Sequence, residues 1–211
     1  MPRHARIVAP LVLLSVFASG CADDQELLIV RSAVGFDEEC LLDESVSLAN
    51  DTIDVSLVGP FALGLLVSNV QTQNENSNTN IEDDGELRLK YAEVTLSLEG
   101  SGGIGSTFEV TIPNDSIPSG EDRGVVVTVP SSALDSIRGS VGGDELPIME
   151  MSVVLVADRT SQVANGKLGE VRSREYIFPF TICNGCLVNS GCMPTCGLPQ
   201  LSTCVPPEAA P

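Results

Sequence analysis

Apolar residues along this chain recur at every second position, in short runs broken by Gly, Pro, Asn, Asp and Ser, and that period fits half-buried β-strands and not helices. Ile53, Val55 and Leu57 alternate, as do Phe108, Val110 and Ile112. Val125, Val127 and Val129 repeat the pattern, Met149, Met151, Val153 and Leu155 follow it, and Tyr176, Phe178, Phe180 and Ile182 close the series. A strand is also expected to open near Glu26 to Arg31. Residues 61–70 are more continuously apolar, which suits a strand covered on both faces. About eight strands predict an all-β fold: an antiparallel β-sandwich, immunoglobulin-like or of related Greek-key type. A barrel is the competing closure, and no internal repeat is present.

Two positions refine this expectation. In residues 86–99 the apolar set switches from odd (Leu87, Leu89, Tyr91) to even (Val94, Leu96, Leu98), and a strand changes face only by inserting a residue. The spacing therefore predicts a β-bulge or bend near Ala92 and Glu93. Pro179 lies inside the last strong run and cannot donate to a ladder, so that strand is expected to be an edge there, or to turn that position outwards. The one helical segment is residues 131–138, with Ser131 or Ser132 as the expected N-cap.

The beginning of the chain has another character. Arg3 and Arg6 precede an apolar run of eleven residues, 7–17, too short for a permanent membrane span of about 20 residues. Ala18-Ser19-Gly20 then meets Cys21. This resembles the signal peptide and lipobox of bacterial lipoproteins, with Ala18 where that family usually carries Leu; the same Ala-x-Gly also suits an ordinary secretory cleavage site. The resemblance covers a tenth of the chain. It implies a signal peptide over residues 1–20, lipid attached to Cys21, a short lipidated tether over 21–25, and a lipid bilayer as partner through the acylated cysteine. By the sorting rule of such lipoproteins, Ala22 in place of Asp after the cysteine points to the outer membrane of the cell envelope.

Cysteine arithmetic bears on the same point. The seven cysteines are Cys21, Cys40, Cys183, Cys186, Cys192, Cys196 and Cys204. Lipid on Cys21 leaves an even six to pair as disulfides in an oxidising compartment. Five cluster as C-x2-C-x5-C-x3-C-x7-C, so full pairing joins Cys40 to a cluster member and staples the end of the domain, a Cys-rich disulfide knot over residues 183–205, to its beginning. Four thiols at such spacing would suggest zinc in a cytosolic chain, and Cys183-Asn184-Gly185-Cys186 a redox pair; export favours structural disulfides over both. The β-domain is placed at 26–182 and a disordered Pro/Ala tail at 206–211. The Ile182-Cys183-Asn184-Gly185-Cys186 turn also resembles the one that ends the last strand of certain exported lipoproteins, a likeness that implies no activity.

Charge and histidine content narrow the function. Residues 1–20 hold two of the eleven basic residues and none of the 29 acidic ones, leaving nine against 29, a formal charge of −20. That excludes nonspecific nucleic-acid binding, which needs Lys and Arg on phosphates. The one histidine, His4, lies in the expected signal, so the mature chain has no Ser-His-Asp or Cys-His chemistry. A carboxylate-only hydrolase is an alternative, but no pair stands out among 29 acids, and no Trp offers a sugar platform. The polar loop 71–85 carries Asn80, Glu82, Asp84 and Gly85, similar in outline to the calcium pattern D-x-[DN]-x-[DN]-G. Asn80 replaces the first Asp and Tyr91 the twelfth-position Glu, so the favoured reading is a solvated acidic loop with no metal. The expectation is a non-catalytic envelope module that binds envelope protein partners, without cofactor; a ligand- or calcium-binding module is its first alternative.

Overall fold

The computed structural model describes residues 26–71, 85–98, 105–113, 115–139, 147–161, 166–189, 193–195 and 198–203. Residues 1–20, expected as a signal peptide, and Cys21, Asn80, Glu82, Asp84, Cys192, Cys196, Cys204 and residues 206–211 lie outside them.

The described residues form thirteen strands and two short helices, more strands than the alternation alone resolves. One sheet runs in the order β2 (Leu42–Leu48), β1 (Leu28–Phe36), β4 (Phe61–Asn69), β8 (Asp122–Val129). A second has the order β3 (Asp51–Asp54), β11 (Tyr176–Cys183), β9 (Ile148–Ser161), β5 (Leu87–Leu98), β6 (Gly105–Thr111), with β10 (Gly166–Arg172) on β9 and β7 (Ser116–Ile117) on β5. A hairpin of β12 (Met193–Thr195) and β13 (Leu198–Thr203) lies against β3 and β4. Pairing is antiparallel except between β3 and β11, which run parallel, a departure from the all-antiparallel expectation.

The alternating residues form one core shared by both sheets. Val125, Val127 and Val129 of β8 and Leu63, Leu65 and Val67 of β4 come from the first; Val94 and Leu96 of β5, Met151, Val153 and Leu155 of β9, and Phe178, Phe180 and Ile182 of β11 come from the second. Phe61 meets Phe180 edge-on across the sheets, with ring centroids 4.8 Å apart. The Tyr176 hydroxyl ties the sheets again by accepting the Ala33 N–H at 2.8 Å.

The face switch in β5 is present, two residues earlier than expected. The β5–β9 register slips between Leu89 and Tyr91, so Lys90 is the inserted residue; Leu87 and Leu89 are buried before it, Ala92, Val94 and Leu96 after it. Pro179 also behaves as proline must. The Ile182 N–H points to the β9 side, where Pro147, just before β9, accepts it, so the Pro179 nitrogen, three positions back, faces away from β9. On that side the β3 ladder begins one residue later, at Phe180. The helix α1 (Ser131–Arg138) occupies the expected span and buries Leu134 and Ile137, but its N-cap is Pro130, and neither Ser131 nor Ser132 caps it.

β4 is buried on both faces for a reason outside the strand itself. The β1–β2 register jumps between Val34 and Gly35, which arches residues 44–46 of β2 away from β1. Leu42 then packs over Gly64 of β4 and Gly124 of β8, and the Glu44 carboxylate accepts the Gly124 N–H at 2.9 Å on the edge strand. Only glycine leaves that space: a methyl on Gly64 would collide with Leu42 Cδ2 and lie 2.7 Å from the Val34 carbonyl oxygen, which cannot rotate away. Gly64→Ala should therefore cost about 1–3 kcal/mol, the usual range for overpacking. Gly139→Ala, at φ −71° with nothing within 4 Å, is the matched control and should be neutral or slightly stabilising. Equal urea midpoints for the two variants would refute the packing argument.

Candidate functional site

β3 and β11 end side by side, Asp54 level with Cys183, and both chains turn at once. The ladder closes with the Val55 N–H on the Cys183 carbonyl at 2.8 Å. Beyond Cys183 the chain reverses through Asn184 and Gly185, whose φ of +85° is left-handed and suits glycine, and enters α2 (Cys186–Asn189). Cys183 and Cys186 are joined as a disulfide with Cα atoms 5.8 Å apart.

Beneath this turn lies the Asp54 carboxylate, wholly buried. Its Oδ1 accepts the Ser56 hydroxyl at 2.6 Å, the Ser56 N–H at 2.9 Å and the Gly185 N–H at 2.7 Å, and its Oδ2 accepts the Leu187 N–H at 2.9 Å. Burial pushes this carboxyl up, but the Ser56 hydroxyl and the three N–H donors outweigh it and hold Asp54 below the usual carboxylate range. Asp54 is thus an anion that organises two backbone turns separated by more than a hundred residues. Asp51, at the start of β3, goes the other way: burial raises its carboxyl, and the Thr52 N–H offsets this only in part. Beside Asp54, the Arg138 guanidinium of α1 donates to the Val55 carbonyl at 2.7 Å.

Cys40 follows β1 in a turn held by Asp37, whose carboxylate accepts the Leu41 N–H at 2.8 Å. It sits at φ +66° and is disulfide-bonded; since Cys183 and Cys186 pair with each other, its partner is outside the described residues. The two ends of the acidic loop are described although its interior is not. Buried Asn69 donates to the Gly85 carbonyl at 2.5 Å and the Ile117 carbonyl at 3.0 Å and accepts the Gln71 N–H at 3.1 Å, pinning both ends to the sheet.

The bulge in β5 assembles a second charged group. Lys90 Nζ lies 3.1 Å from Glu170 and 3.6 Å from Asp158, and Arg172 pairs with Glu93 and, at 3.7 Å, with Glu170. Most of these side chains are a third or more exposed, so water screens each pair and the group reads as a solvated network.

Sequence reasoning singled out the cysteines and missed Asp54. Its only local signal is Asp54-Val55-Ser56 at the end of an alternating run, a common turn pattern. Comparison with family models, curated proteins and solved structures finds no match to this chain.

Proposed function

We propose that this chain is a lipid-anchored cell-envelope protein of the outer membrane, whose β-domain is a non-catalytic interaction module held close to the bilayer. The observation that carries the reading is how soon the fold takes hold after Cys21. The Glu26 carboxylate pairs with Arg174 Nε at 2.9 Å, and the Leu27 carbonyl accepts the Val70 N–H at 2.9 Å. Only residues 22–25 then separate an acylated Cys21 from a fixed point, a reach of about 17 Å at full extension.

The strand directions support a polarity. Leu28, Asn69 and Asp122 lie at the end nearest Glu26, as do both ends of the acidic loop, Gln71 and Gly85. Phe61, Val129, Asp54 and the Cys183–Cys186 turn lie at the other, about 27 Å away along the nine residues of β1. An anchored domain would hold the end that carries Gln71 and Gly85 towards the lipid and offer the Cys183–Cys186 end to partners. With a formal charge of −20 over residues 21–211, attraction to anionic lipid gives no help, so the acyl chains carry the attachment.

The finer fold reading is a sandwich of Greek-key kind: β3 belongs to the second sheet although β2 and β4, on either side of it in sequence, belong to the first. The anchor is tested directly by metabolic labelling with a palmitate analogue. The wild type should take up label and fractionate with outer membrane, and Cys21→Ser should lose both. An unlabelled wild type would overturn the anchor.

A further inference from the structure

Asp54 and the Cys183–Cys186 pair bring three potential ligand atoms, one carboxylate oxygen and two sulfurs, within 4.8 Å of one another. We propose that reduction of this disulfide opens a binding site for a borderline-soft divalent cation of the zinc class, held by the thiolates of Cys183 and Cys186 and by Asp54 through Oδ2. A water molecule completes the tetrahedron.

Three features favour this over a purely structural staple. A bridge between residues three apart closes the smallest of loops and so constrains the unfolded chain least, whereas C-x2-C is the usual spacing of paired thiolate ligands. Ligand separations are within reach: zinc–sulfur bonds of about 2.3 Å and zinc–oxygen bonds of about 2.0–2.2 Å place tetrahedral ligands roughly 4 Å apart, so the bonded sulfurs part on reduction and the carboxylate oxygen, already within 4.8 Å of them, has only a short distance to close. The carboxylate is also pre-oriented: Oδ1 accepts the Ser56 hydroxyl and the Ser56 and Gly185 N–H groups, and Oδ2 accepts the Leu187 N–H, outer partners of the kind that fix a ligating carboxylate. Two sulfurs and one oxygen do not suit calcium or magnesium, which take six or more oxygens.

The gate is redox. In the disulfide both sulfurs are spent on each other and neither ligates. A dithiol reductant breaks the S–S bond, gives each sulfur a hydrogen and leaves as its own cyclic disulfide; cation binding then releases the two thiol protons as two metal–sulfur bonds form. The site thus takes metal in a reducing setting and releases it on oxidation.

The test uses the full chain, reduced with a dithiol, freed of reductant under anaerobic conditions and titrated with Co²⁺. The reduced wild type should bind about one equivalent at this site and show a thiolate-to-cobalt charge-transfer band with tetrahedral d–d bands, and the unreduced protein should show neither. Cys183→Ser should lose that charge-transfer intensity, and the half-exposed Cys186→Ser provides the same check where the buried variant folds poorly. Asp54→Asn should weaken binding about 10- to 100-fold. A reduced wild type without the band, or a band unchanged in both serine variants, which would assign it to Cys192, Cys196 or Cys204, would overturn the proposal.

Discussion

Asp54→Ala should lower the stability of the folded protein by about 3–5 kcal/mol, because it leaves the buried N–H of Leu187 and the part-buried N–H groups of Gly185 and Ser56 without their acceptor, and an orphaned buried donor costs about 1–3 kcal/mol. The loss should be local as well as global: amide exchange at Gly185 and Leu187 should accelerate more than at Val127 in the centre of β8. Asp54→Asn is the sharper variant. It keeps the volume and one oxygen but turns an NH₂ towards donors, and it removes the charge. Because the folded state holds the Asp54 carboxyl below its unfolded value of about 3.9, this group stabilises the fold fully above that pH, and its contribution is lost as pH falls through the depressed folded value. Asp51, raised by burial, binds its proton more readily in the folded state and works in the opposite sense. The difference between wild type and Asp54→Asn isolates the Asp54 part. It should be large at neutral pH and shrink below about pH 4; a difference that does not vary with pH would show that the charge is irrelevant.

Phe180→Ala should cost about 3–5 kcal/mol, the range for removing a buried aromatic ring. Phe180 is completely buried and sits between two others, with centroids 4.8 Å from both Phe61 and Phe178 in edge-on contact. The Phe61 contact crosses from β11 to β4, so the cavity would open between the sheets and not within one of them. Denaturant unfolding of Phe180→Ala should show a lower midpoint, and the Phe61→Ala/Phe180→Ala double variant should cost less than the sum of its singles, because the two rings share one contact. A cost below about 1 kcal/mol would mean that the sheets do not meet through these rings.

The strands that alternate most cleanly were legible because burial on one face leaves a period of two in the residues themselves. Val125, Val127 and Val129, and Met149 to Leu155, needed no partner to be recognised. The same reasoning found the face switch in β5, since a parity change has a single structural cause, though it misplaced the inserted residue by two positions: Tyr91 is apolar enough to be counted with the first face, and Lys90 is what the register skips. β2 escaped it, because Leu42–Leu48 is mostly exposed and its arch over Gly64 and Gly124 depends on residues in two other strands.

What the amino-acid sequence determined alone was the class of the fold, the inward face of its main strands, the missing ladder donor at Pro179, and the pattern around Cys21 on which the proposed anchor rests. All of these are local, written within a few residues by side-chain period, by the missing N–H of proline or by a short motif. Only the tertiary structure decided which strands pair, that β3 and β11 run parallel, and that one aspartate among 29 acidic residues is buried under the C-x2-C turn. Its partners at Gly185 and Leu187 lie more than 130 residues along the chain, and what makes Asp54 different from the other acids is the set of donors that folding brings to it.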